Sequence, residues 1–257
     1  MKISALLIAR NEEKKIKKCL QSLSFADEII IVLDRTKDQT MSIAKKFSNK
    51  IYQGKWEYEG DRRNFGIEKC SNDWILEIDA DEIITSELSK EIKTKISLAE
   101  CDFFYIRVLN FVQGKPVNNG WMSCLAPDGK FCLFKKGSKT WENQRVHPNY
   151  SLNGKKGKQL NNYIEHKMSE NISELFLRFN RNTDLKAADL LENNSSLKSY
   201  FSIRKVFSRF LKCFLRKKGY KEGIIGFLIS VLCGIYLLVS AIKAETLKKE
   251  TDSKQSI

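Results

Sequence analysis

The chain has 257 residues, 42% apolar and 30% charged, which allows one α/β domain with an appendage, or two small domains, and excludes a globally disordered protein. Its formal net charge of +14 points to an anionic partner (nucleic acid, anionic lipid or a phosphorylated substrate) or to lysines that are merely solvated. Seven scattered cysteines form no C-x-x-C pair, and His147 and His166 lie far apart, which argues against a disulfide framework and a Cys/His zinc site.

The chain opens on "MKISALLIAR", which has no cleavage motif of a signal peptide. Ile3 to Ala9 reads as a buried strand. A helix is expected over "NEEKKIKKCLQSL", with Glu12 and Glu13 in its first turn and Ile16, Cys19, Leu20 and Leu23 on its apolar face. "DEIIIVLD" gives a second strand ending on Asp34, and "KDQTMSIAKKF" a second helix. "KIYQG" is a short third strand, "EGDRRNFGIEKC" a loop entering a helix, and "DWILEID" a further strand. This alternation predicts a parallel sheet with crossover helices, whose ligand lies outside the carboxyl ends of the strands. Those ends carry Arg10-Asn11-Glu12, Asp34-Arg35 and Asp79-Ala80-Asp81. From Cys101 the pattern changes to two strands, "CDFFYIRVLNFVQGK" and "GKFCLFKKG", read as an antiparallel extension, and 161–191 reads as partly helical.

The stretch "WILEIDADEI" concentrates carboxylates at a strand end. If strand alternation continued, Asp79 and Asp81 would face the same way about 6.6 Å apart. Unpaired, they would repel by roughly 2.5 kcal/mol at an effective dielectric near 20. A hard divalent ion that also holds phosphate would relieve this, since Mg²⁺ takes one or two carboxylates plus phosphate oxygens. An acid-rich turn before a helix starting near Ser86 accounts for D-x-D alone equally well.

Several stretches in order carry more. "ISALLIARNEEKKIKKCLQSL", "ADEIIIVLDRTKDQT" and "GDRRNFGIEKCSNDWILEIDADE" resemble the glycosyltransferases of family 2, which have the nucleotide-sugar-binding GT-A fold. The chain is most similar to the lipopolysaccharide core glucosyltransferase group, by Glu82 after the D-x-D, Gly120-Trp121, Pro127-Asp128, and Glu142 ahead of Val146-His147. The resemblance implies a Rossmann-like α/β mixed sheet and an inverting transfer from a nucleotide sugar, UDP-glucose foremost, with Mg²⁺ or Mn²⁺. It implies nucleotide-sugar contacts from Asn11, Glu12, Asp34, Asp38 and Asp79, and metal ligation by Asp81 and Asp79. Arg63, with Arg62 as alternate, is suited to phosphate by its guanidinium fork. Trp121 could stack on a sugar face or anchor a loop. Asp128 and Glu142 are candidate bases for the acceptor hydroxyl, and Glu82 a candidate to position it. Where family members carry Glu after Val-His this chain has Pro148, so that residue's role does not transfer; the turn "DRTKDQT" is also shorter than the commoner form.

After a catalytic domain over 1–195, residues 196–222 read as a basic amphipathic helix. Ile203, Val206, Phe207, Phe210, Leu211, Phe214 and Leu215 form its stripe, Arg204, Lys205, Arg209, Lys212 and Arg216 lie off it, and no acid occurs from Lys198 to Lys221. That division suits an anionic membrane surface, or a helix packed on the domain. Residues 223–243 are an apolar segment long enough to span a bilayer or to insert without crossing, and 244–257 a polar tail. The expectation is an enzyme at the cytoplasmic face of a bacterial inner membrane, acting on a lipid-linked glycan such as lipopolysaccharide inner core. Rival readings are transfer to polyprenyl phosphate or another surface polysaccharide, a non-catalytic basic membrane scaffold, and, from the charge alone, a nucleic-acid-binding protein. Nucleic acid is not an expected partner, because no basic-aromatic recognition module accompanies the charge.

Overall fold

The computed structural model describes residues 1–98, 100–193 and 195–255. In chain order the elements are β1 (Ile3–Ala9), α1 (Ile16–Ser22), β2 (Glu28–Asp34), α2 (Thr40–Ala44), β3 (Ile51–Gly54), α3 (Glu59–Lys69), β4 (Trp74–Asp79), β5 (Glu82–Ile84) and α4 (Ser86–Ser97). There follow β6 (Phe103–Val112), β7 (Lys115–Val117), β8 (Gly129–Lys135), β9 (Lys139–Trp141), β10 (Tyr150–Leu152), β11 (Tyr163–Ser169) and α5 (Ile172–Glu192). The chain ends in α6 (Ile203–Leu211) and α7 (Gly223–Gln255), linked by a π turn (Lys212–Arg216) and a 3₁₀ turn (Gly219–Glu222).

The chain forms two compact units. The first holds Met1–Leu109, Gly129–Gln144 and Pro148–Lys167; the second holds Asn110–Asp128, Arg145–His147 and Met168–Ile257. These units divide the chain differently from the expected boundary at 195.

In the first unit, β1 is buried at every position because both its faces are covered. Ile3, Ala5, Leu7 and Ala9 enter one apolar cluster with Ile16, Cys19 and Leu20 of α1 and Leu88, Ile92 and Ile96 of α4. Leu6 and Ile8 enter another with Ile67 of α3. The period of two thus sorts one strand into two cores. β1 pairs in parallel with β2 and β4, and β2 with β3. β8 pairs antiparallel with both β4 and β6. The sheet order is β3-β2-β1-β4-β8-β6-β11-β5, with β7 on β6, and β9 and β10 form a separate pair. The expected parallel sheet with an antiparallel extension is therefore present. Thr85 caps α4 by accepting a hydrogen bond from the Leu88 N–H at 3.1 Å, so the helix near Ser86 is also as expected.

Two local expectations need correction. α1 begins at Ile16, so Glu12 and Glu13 lie in the preceding turn, where Asn11 has φ of +53°. α3 begins at Glu59 and already includes Arg62 and Arg63. Its Gly60 is required by close approach, since a Cβ there would lie 1.9 Å from the Glu142 carbonyl oxygen. The partly helical reading of 161–191 is met by α5 from Ile172, and residues 163–169 ahead of it are a strand in which Ile164, His166 and Met168 alternate inward.

The second unit is built on α5, α6 and α7. Its core joins Leu175 and Phe179 to Ile229, Leu232, Cys233 and Tyr236, with Trp121 and Leu125. The expected single helix over 196–222 is broken, with Lys218 at φ +59° and Gly223 at φ +60°. α7 continues through the expected polar tail to Gln255, and residues 256–257 lie outside the described residues.

Candidate active site

All of the following geometry lies in the first unit unless stated otherwise. The turns after β1 and β2 are knitted together. Asn11 Oδ1 accepts from the Lys37 N–H at 2.9 Å, and the Glu12 N–H donates to Thr40 Oγ1 at 2.8 Å. Asp38 accepts from the Glu13 and Thr40 N–H groups at 3.1 and 3.0 Å. Burial opposes the Asp38 charge, but these bonds outweigh it and hold the carboxyl below its ordinary value. Asn11 and Asp38 therefore shape the loops through these bonds.

Asp34, at the end of β2, is buried. It accepts from Arg35 Nε and Nη2 at 3.0 and 2.8 Å, from Arg62 Nη1 at 3.3 Å and from the Trp56 N–H at 3.2 Å. Among the described residues, the Nε of Arg62 is buried with no hydrogen-bond partner, as is the Thr36 hydroxyl two residues beyond Asp34. Buried polar groups without partners are rare enough to require an explanation, and a bound ligand group would supply one.

Arg63 turns the other way. Its guanidinium donates to Glu59 Oε1 at 2.5 and 2.8 Å, to Glu77 Oε1 at 2.6 Å and to Asp79 Oδ1 at 2.9 Å, and it sits 5.0 Å from the Trp141 ring centroid. It is buried, so the expectation that Arg63 meets phosphate is corrected: it braces β4, and Arg62 is the arginine beside Asp34. Glu77 is the hub of this layer. Its second oxygen accepts from Lys139 Nζ at 2.9 Å and Trp141 Nε1 at 3.2 Å.

Asp79 ends β4 and the chain turns at Ala80-Asp81, so strand alternation does not carry through. The expected repelling pair is replaced by two carboxylates with separate partners. Asp79 lies beside Arg63 and, at 3.4 Å, Lys130 Nζ. Burial works against its charge, but these two cations outweigh it and hold the group below the usual carboxylate range. Glu82 Oε2 accepts from the Asp79 N–H at 3.0 Å and from Lys130 Nζ at 2.5 Å. Burial pushes the Glu82 carboxyl up, and Asp79 adds to that, against Lys130 and His166.

Asp81 is buried against His166, with Oδ2 3.2 Å from Nε2. The antiparallel register of β11 on β5 sets His166 opposite Glu82, and the Lys167 N–H donates to the Asp81 carbonyl at 2.8 Å. A carboxylate oxygen and an imidazole nitrogen about 3 Å apart match two adjacent ligands of an octahedral ion with bonds near 2.1 Å. Among the described residues no cluster of three or more His, Cys, Asp and Glu is placed to hold a metal. Two protein donors leave the other positions to phosphate and water, the usual Mg²⁺ arrangement, so the residues fit a divalent cation.

Lys130, Lys139, Glu77 and His166 were not among the expected site residues. Glu142 is exposed beyond β9, its N–H bonded to the Asn149 carbonyl at 2.8 Å. Asp128 and Trp121 belong to the second unit. Asp128 is exposed and pairs with Lys217 at 2.6 Å. Trp121 is only 2% exposed, its indole N–H donating to the Val117 carbonyl at 2.8 Å. It is a core anchor, and the expectation of sugar stacking is corrected. His147, also in the second unit, has φ +49°, and its Nε2 lies 3.1 Å from the Cys124 carbonyl.

Residues 4–166 match the family model described as glycosyl transferase family 2. An uncharacterized glycosyltransferase of Rickettsia conorii is 25% identical, over 97% of this chain and 92% of its own. The lipopolysaccharide core biosynthesis glycosyltransferase LpsC of Rhizobium meliloti is also 25% identical, over 94% and 91%. The crystal structure of S. aureus TarS residues 1–349 with UDP-GlcNAc matches with a TM-score of 0.51 at 15% identity, covering 99% of this chain and 92% of that one. The mixed sheet and its parallel half are those of the GT-A fold, and the chain belongs to glycosyltransferase family 2, a family of sugar-transferring enzymes.

Proposed function

We propose that the protein transfers a sugar, with inversion, from a UDP-sugar to a lipid-linked glycan of the lipopolysaccharide inner-core type, at the cytoplasmic face of a bacterial inner membrane. UDP-glucose is the first donor to test. The observation that carries this is the convergence of Asp34 with Arg62 and of Asp79 with the Asp81–His166 pair at the carboxyl ends of β2 and β4. The kinship with LpsC, whose name assigns it to lipopolysaccharide core biosynthesis, supports the acceptor class. The UDP-GlcNAc held by TarS supports a uridine nucleotide as carrier.

In this reading Asp34 binds the uracil or ribose, exchanging one of its arginine partners for the donor. The partnerless Nε of Arg62 takes a donor oxygen. Asp81 and His166 would hold Mg²⁺ or Mn²⁺, which when bound would neutralise charge on the departing nucleoside diphosphate. Asp79, kept ionised by Arg63 and Lys130, faces the ribose side of the same site. Glu82 is a positioning residue that fixes the Asp-Ala-Asp turn. Glu142 and Asp128, the exposed carboxylates, are the candidate acceptors of the hydroxyl proton.

The test is calorimetry with UDP and then UDP-glucose, with and without Mg²⁺ or Mn²⁺, on the parent and on Asp81→Ala and His166→Ala. Metal-dependent binding lost in both variants is expected. Absence of UDP binding under every metal condition would overturn the donor assignment. Labelled-sugar transfer to core-truncated lipopolysaccharide rather than to polyprenyl phosphate tests the acceptor.

A further inference from the structure

The second unit carries a surface that the chemistry of the donor site does not use. α6 is apolar on two sides. One side packs inward: Phe210 stacks on Phe214 at 5.4 Å and meets Phe227 edge-on at 5.7 Å. Gly234 of α7 gives Phe210 room, since a Cβ there would lie 3.3 Å from the Phe210 Cβ. Among the described residues nothing covers the other side. Ile203, Phe207, Leu211 and Leu215 recur at every fourth residue and are 48–69% exposed, and Ile224, at the start of α7, is 79% exposed. In an α-helix a four-residue step drifts by about 40°. The wider π turn at Lys212–Arg216 counters that drift, which keeps Leu215 in the row. Arg204, Lys205, Lys212, Arg216, Lys218 and Lys221 are exposed around it. Bulky apolar side chains in a cationic collar match the two chemical layers of an anionic bilayer surface, acyl chains beneath acidic headgroups.

α7 is long enough to cross a bilayer, yet its surroundings argue against crossing. α5 lies along it within the same unit and carries Arg178, Arg181, Asp184 and Lys186. The Tyr236 hydroxyl donates to the Asn182 carbonyl at 3.2 Å. Lys243 Nζ reaches Asn180 Oδ1, Thr183 Oγ1 and Asp184 Oδ1 at 2.6–2.9 Å. A crossing α7 would either strip off these partners or draw the charges of α5 into hydrocarbon, and both are costly.

We infer that the second unit rests in the plane of an anionic membrane through the row Ile203, Phe207, Leu211, Leu215 and Ile224, with both ends of α7 on the same side. This does not depend on the identity of donor or acceptor. The test uses the full chain with phosphatidylethanolamine vesicles, with and without phosphatidylglycerol. Flotation with the phosphatidylglycerol vesicles is expected, weakened by salt and reduced about tenfold or more by Phe207→Glu with Leu211→Glu. Ile203→Glu with Ile224→Glu should act alike, and circular dichroism should be unchanged in both. Vesicle binding that ignores both pairs, or lipid-free self-association abolished by them, would overturn the inference; the latter would make the row a contact between copies. Topology is read separately. The native cysteines are all buried, so Lys221→Cys and Lys249→Cys can each be labelled by an impermeant maleimide on sealed membrane vesicles. Labelling of both from the same side is expected, and labelling from opposite sides would show a span.

Discussion

The first unit buries an extended network of paired charge, whereas the second buries the carboxylate of Asp189 against Arg145 and leaves many large apolar groups uncovered. Glu77, Arg63, Lys139 and Lys130 all lie inside the first unit in bonded networks. Among the described residues, its exposed large apolar side chains are Met1, Leu98 and Tyr163, while twelve such side chains belong to the second unit. Buried ion networks hold loops in fixed positions, which a phosphate-handling site requires. Uncovered apolar rows contribute nothing to such a site and are retained where a non-aqueous surface receives them.

The sharpest way to break this contrast is to remove the hub of the buried network. Glu77→Gln leaves Arg63 and Lys139 without their shared countercharge, and a loss of about 3–5 kcal/mol is expected in urea unfolding. A loss near zero would mean that the network tolerates isolated charge and that the first unit is not held by it. Next in size is an acid-limb effect at Glu28, which is bonded to Ser4, Lys50 and Ser71. Burial opposes its charge, but these partners lower its carboxyl to about 2. Because the folded value lies below the ordinary one of about 4.3, its contribution is full above that pH and fades as the pH falls toward 2. Glu28→Gln should therefore remove about 3 kcal/mol of stability at neutral pH and flatten the pH dependence below pH ~4.

A smaller effect separates the two neighbouring arginines. Arg62→Met should weaken UDP binding about tenfold, near 1.4 kcal/mol, with little change in unfolding midpoint. Arg63→Met should lower the midpoint, and equal behaviour of the two variants would erase the distinction between donor contact and brace. Smallest is the Asp128–Lys217 pair of the second unit, half in solvent. Asp128→Asn should change stability by no more than about 0.5 kcal/mol, so any fall in turnover reports on chemistry alone.

The parallel half of the sheet was legible in the sequence because β1, β2 and β4 are apolar runs that stop abruptly at polar residues. The start of α4 near Ser86 and the antiparallel pair β6–β8 were legible for similar local reasons. His166 was not, because its meeting with Asp81 depends on β11 pairing with β5, and no local pattern encodes which distant strand a strand will join. Arg62 and Arg63 were exchanged because adjacent helical residues point about 100° apart and only the packed structure sets which one faces inward. Glu77 was absorbed into an apolar run, although a carboxylate inside a buried strand is itself a sign of buried cations. Trp121 beside Gly120 suited either a sugar-stacking aromatic or an anchor, and only the packing shows that the indole fills the core of the second unit.

The Glu77 network has an evolutionary consequence. Lys139 pairs with Glu77, whereas Arg63 also holds Glu59 and Asp79, so a lineage that loses Glu77 strands the Lys139 charge in its interior. Glu77 and Lys139 therefore should not drift codon by codon. Among descendants of a common ancestor they should persist as a block or vanish together into apolar residues of similar volume, and a survey of substitution patterns at these positions should find few partial combinations.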